Sequence, residues 1–73
     1  MEERIIEIMK EVLGEENIDV NTTQESSENW TSLRHLNLVS ELEDEFDVDI
    51  DPGEVAKMKS VIEIVDVIRS KMA

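Results

Sequence analysis

Leu33, Leu36, Val39, Leu42 and Phe46 recur at spacings of three and four residues. That is the repeat of an α-helix with one buried stripe, and a strand cannot satisfy it. Thr31 stands immediately before the stripe, and its hydroxyl can accept a bond from an otherwise unpaired backbone N–H, so this helix is expected to start between Thr31 and Ser32. The same periodicity appears twice more. Residues 2 to 13 form an expected first helix, with Ile5, Ile8, Met9 and Val12 inward, Ile6 and Leu13 on its flanks, and Gly14 as its stop. Val61, Ile64, Val65, Ile68 and Met72 make the inward stripe of a last helix.

Between these helices the signals change. From Glu15 to Trp30 the periodicity disappears into Asn, Thr, Ser and Glu, which predicts a long loop anchored by Ile18, Val20 and Trp30. A connection of that length more often reflects function or mobility than plain linkage. Asp47-Val48-Asp49-Ile50-Asp51 alternates like a strand but is short and runs into Pro52-Gly53, so a loop is expected there. Asp51, Pro52 and Glu54 supply an N-cap, a proline for the first helical position and a capping-box glutamate, which predicts a short third helix through about Met58. Ser60 and Glu63 repeat the capping box ahead of the last helix. The expected fold is all-α: a four-helix up-and-down bundle with a long first loop and a short third helix, residues 1–73 forming one domain.

Size and charge exclude several functions. A chain of 73 residues buries only about 60% of its unfolded surface, which leaves no room for both a core and a large catalytic cleft, so an enzyme is not expected. Nineteen acidic against seven basic residues give a net charge of −12. That charge opposes binding to phosphate backbones and favours docking on basic protein surfaces. With no cysteine there is no disulfide, thiolate metal site or protein thioester, so any thiol chemistry must come from a cofactor. No signal-peptide pattern and no apolar run long enough for a membrane span is present, which predicts a cytoplasmic protein, expected as a monomer.

The segment from Trp30 to Phe46, WTSLRHLNLVSELEDEF, places Ser32 at a helix start, where free N–H groups and the helix dipole favour an anion. From composition alone Ser32 is an ordinary capping serine. The register of the whole segment, continued by Asp49-Ile50 and the last helix, resembles the acyl carrier protein family, in which an Asp-Ser-Leu motif opens the second helix and its serine carries 4'-phosphopantetheine. Trp30 and the run Ser-Leu-Arg-His-Leu-Asn-Leu look more like the discrete carriers of specialised pathways than the housekeeping fatty-acid carrier. One residue departs from the pattern: Thr31 stands where the family has aspartate.

The resemblance implies a carrier of acyl or aminoacyl groups, held as thioesters on 4'-phosphopantetheine attached to Ser32, in fatty-acid, polyketide or related biosynthesis. It implies a phosphopantetheinyl transferase that supplies the arm from coenzyme A, and loading and processing enzymes that dock through basic patches onto Glu41, Glu43, Asp44 and Glu45. In this family the apolar stripes also line a slot that shelters a carried chain. The main alternative is an unmodified acidic adaptor with the same fold, which Thr31 favours; an acidic mimic of nucleic acid rests on charge alone.

The remaining signals have blander readings. His35 lies one turn after Ser32, but no third orienting group or oxyanion site accompanies the pair, and a histidine there is expected on the surface. Asp47, Asp49 and Asp51 are spaced like the start of a calcium loop. Pro52 then occupies the position where the loop turns on glycine, and Met58 that of its bidentate glutamate, so no metal site is expected.

Overall fold

The computed structural model describes all 73 residues. It contains four helices, α1 (Glu2–Leu13), α2 (Ser32–Phe46), α3 (Pro52–Lys57) and α4 (Val61–Met72), and no strand beyond an isolated bridge between Thr23 and Ser60. The helix ends follow from local chemistry. Gly14 closes α1 at φ 65°, a left-handed conformation that glycine adopts without strain, and returns its N–H to the Lys10 carbonyl. Asp47 closes α2 in the same region, which aspartate tolerates better than most residues. Glu54 turns its carboxylate back onto the Asp51 N–H at 3.1 Å to open α3. At α4 the Ser60 hydroxyl accepts the Glu63 N–H, while the Glu63 carboxylate takes the Ser60 hydroxyl rather than the backbone N–H of a full capping box.

One core holds the helices together. Ile5, Ile8, Met9 and Leu13 of α1, Leu38, Val39 and Leu42 of α2, and Val61, Ile64, Val65 and Ile68 of α4 are buried with Ile18, Trp30, Ile50 and Met58. Each such aliphatic side chain contributes about 1.5–3 kcal/mol on leaving water. Within α1, Leu13 is buried and Val12 only half-buried, so the expected inner and flanking positions trade places.

Three other expectations about the core need correction. Leu33 and Leu36, assigned to the α2 stripe, are 70% and 59% exposed. At about 100° per residue, Leu33 lies about 180° from Leu42, whereas His35, seven residues before Leu42, lies only about 20° from it. The inward stripe therefore begins at His35. Val20, expected to anchor the loop, is 43% exposed, and Ile18 and Trp30 do that work. Met72 is 54% exposed because the last turn of α4 runs past the core; there Lys71 folds back instead, reaching Glu54 at 2.7 Å and Asp51 at 3.8 Å.

The loop from Glu15 to Trp30 is stitched down by hydrogen bonds. One oxygen of Glu15 accepts both the Ser27 hydroxyl, at 2.6 Å, and the Asn29 N–H, at 2.9 Å. Those donors hold the Glu15 carboxyl below the usual carboxylate range, the Ser27 bond contributing most. Gln24 N–H donates to the Lys59 carbonyl at 2.7 Å, and Val61 N–H to the Thr22 carbonyl at 3.0 Å, which ties the loop to the α3–α4 connection. Ser32 is thereby positioned by a loop fixed at both ends.

Candidate functional site

Thr31 has extended backbone and its hydroxyl accepts the Arg34 N–H at 3.3 Å, so α2 begins at Ser32 as its N-cap chemistry dictates. The Ser32 side chain is solvent-exposed. It borders an open crevice of about 320 Å³ lined also by Gln24, His35, Leu36, Pro52, Val55 and Ala56. An anion linked to Ser32 lies beside the positive end of the α2 dipole, where such placement contributes roughly 0.3–1 kcal/mol. A long flexible group on this serine is free toward solvent and has a part-apolar crevice at its base.

His35 is not paired with Ser32. Its Nδ1 accepts the Trp30 indole N–H at 2.8 Å, and its Nε2 lies 2.9 Å from the Val55 carbonyl, which can only accept. That pair of partners selects the neutral tautomer with its proton on Nε2. Both ring nitrogens are occupied, which leaves neither as a base for a serine nucleophile. The histidine is half-buried and bridges the loop, α2 and α3, instead of standing on the surface as expected. Its partners lie 5 and 20 residues away, and the only signal in the sequence is its position one heptad before Leu42.

The four acidic candidates divide into two kinds. Glu41 and Asp44 are exposed. Glu43 is half-buried and accepts the Ile50 N–H at 2.9 Å, fixing the turn after α2. Glu45 pairs with Arg4 of α1 at 3.0 Å, and that guanidinium holds its carboxyl below the usual range. Leu33 and Leu36 lie exposed on α2 between Ser32 and these acids. No group of three acidic or histidine side chains converges as a metal ligand shell. Asp47 and Asp51, read in sequence as a possible cation loop, instead close α2 and open α3.

The geometry is that of a small helical domain presenting one serine at a helix start, and comparison with known proteins defines the class further. A family model described as a phosphopantetheine attachment site matches residues 3–68. The chain belongs to this phosphopantetheine-binding carrier family. No curated protein matches it in sequence at a significant level. Among solved structures, holo acyl carrier protein from Geobacter metallireducens superposes with a TM-score of 0.86 at 25% identity, covering 97% of this chain and 84% of that one. Acyl carrier protein from Thermotoga maritima gives 0.79 at 28% identity, covering 96% and 84%. A chain in a structure of the ishigamide ketosynthase/chain length factor gives 0.79 at 27% identity, covering 97% and 92%. The fold is that of acyl carrier proteins, which hold intermediates and do not themselves catalyse.

Proposed function

We propose that residues 1–73 form one carrier domain that bears acyl or aminoacyl groups as thioesters on a 4'-phosphopantetheine arm linked to Ser32 Oγ. The observation that carries this reading is an exposed serine at the first position of α2, beside an open crevice, inside a chain matched by the phosphopantetheine attachment family from residue 3 to residue 68. The residues fit the group: the hydroxyl is accessible, the helix start favours the phosphodiester, and nothing covers the path to solvent. When bound, the arm supplies the thiol that a chain without cysteine lacks. The protein's own part is to hold the attachment point rigid and to offer a docking face.

That face is the outer side of α2. Leu33 and Leu36 give it an apolar centre, and Glu41 and Asp44 a charged rim able to steer a basic partner. Glu43 and Glu45 add to the local potential while they hold the turn and α1. The partners of this reading are a phosphopantetheinyl transferase and cytoplasmic enzymes of fatty-acid, polyketide or related biosynthesis, the ketosynthase class among them. No helix is long and apolar enough to cross a membrane.

The test is transfer from labelled coenzyme A, with magnesium and a phosphopantetheinyl transferase, onto wild type and Ser32→Ala. Wild type becomes labelled on Ser32 and the variant remains unlabelled with an unchanged melting temperature, since Thr31 still caps α2. Labelling of the variant would move the attachment point elsewhere. An unlabelled wild type would favour the adaptor reading, in which Thr31 marks a chain that no longer meets the transferase.

A further inference from the structure

α3 is the loosely seated wall of this molecule. No residue of Pro52–Lys57 is buried. The helix is held by half-buried Val55, by Met58 buried just beyond its end, by the Lys71 bridges at its start, and by the bond from His35 to the Val55 carbonyl. His35 and Val55 both line the crevice beside Ser32, so this bond spans the crevice from α2 to α3. Trp30 fixes the ring from the other side through its indole N–H.

The interior offers no ready space. Leu38, Met58 and Ile64 are fully buried, and every depression on the surface opens to solvent. A chain that runs from the crevice toward Leu38 and Met58 must pass between α2 and α3, and there it meets the imidazole. Displacing the ring leaves the Trp30 N–H without a partner and the Val55 carbonyl with only the Met58 N–H at 3.3 Å, and an unpaired polar group away from water is costly. A polar clip at this position therefore opposes entry of an alkyl chain, which gains by burial only what its methylenes supply.

From this we infer that His35 is a specificity-determining latch: by pinning Trp30 and Val55 across the crevice it keeps the group carried on Ser32 out of the core. The inference rests on the carrier reading. A carried alkyl chain stays in the crevice that Ser32 itself borders, exposed to partner enzymes, and the resting carrier discriminates little by chain length. The substrate class that suits such a carrier is short or polar acyl groups, which lose nothing by remaining in water.

The experiment compares octanoyl and acetyl forms of the phosphopantetheinylated protein in wild type, His35→Ala and Trp30→Phe. Wild type melts at the same temperature with either group, and its octanoyl methylenes show no NOE to Leu38 or Met58. In His35→Ala the octanoyl form melts higher than the acetyl form and those NOEs appear. Trp30→Phe keeps the ring in the core but removes the indole donor, and shows the same change to a smaller extent, which guards against a His35 variant that folds poorly. NOEs from octanoyl to Met58 in wild type, or the same octanoyl-to-acetyl difference in all three proteins, would overturn the latch. If the transferase leaves Ser32 unmodified, the carrier reading fails. The latch is then decided separately on Ser32→Cys, the one thiol of a chain that has none, capped with octyl or methyl methanethiosulfonate and read by the same NOEs and melting temperatures.

Discussion

Glu15 shows how single residues organise the approach to Ser32. Its carboxylate gathers Ser27 and Asn29, and through them the last turn of the loop before Trp30. Folding favours the ionised form, so its contribution is complete above the ordinary glutamate value of about 4.3 and is lost as pH falls through the lowered folded value. Glu15→Ala is therefore expected to melt below wild type by a constant amount from neutral pH to about pH 5, the gap closing under further acidification. Thermal melts of both proteins across that range check it; a gap unchanged in acid would mean that the carboxylate contributes no charge-dependent stability. The Thr31 cap and the Ser60 cap were legible because their partners lie three residues away. The partners of Glu15 and His35, 12 to 20 residues distant for Ser27, Asn29 and Val55, are set by tertiary packing, which local patterns do not encode.

Among the elements, α2 carries both the site and half of its surroundings, and its two faces are energetically unlike. Leu42 and Ile68 are fully buried on α2 and α4, so Leu42→Ala and Ile68→Ala should each cost about 2–5 kcal/mol, much of the stability of so small a domain. Leu33→Ala and Leu36→Ala, on the outward face, should change stability by no more than about 0.5 kcal/mol. Urea midpoints of the four variants test the register directly. Midpoints for the Leu33 and Leu36 variants as low as those for Leu42 and Ile68 would mean that α2 is rotated. The helices themselves could be read from periodicity and caps, and three of the four begin where a Thr, Asp or Ser side chain predicts. The start of the inward face of α2 is not legible from three- and four-residue steps counted from Leu33, because a 3.6-residue turn drifts away from such steps over the length of the helix. Hydrophobicity alone favours Leu33 and Leu36 over a histidine for the core, whereas the helical direction of Leu42 is met by His35.

For the molecule as a whole, a net charge of −12 is concentrated on a chain that buries 17 of its 73 residues. Arg4 and Lys71, two of the seven basic side chains, are committed to holding α1 to α2 and α4 to α3. The remaining charge repels itself, and ions at 0.1 M screen it beyond about 10 Å. The melting temperature should rise with added sodium chloride and rise at lower concentration with magnesium; indifference to both would show that the acidic surface plays no part in folding. On the proposed reading the same field would steer basic enzymes toward α2, whose start carries Ser32. Whether this protein works as a carrier is measured most directly by intact and peptide mass spectrometry of the chain purified from its source cell. The account predicts one phosphopantetheine, free or acylated, on the peptide containing Ser32. A chain recovered without that modification under every growth condition would contradict it.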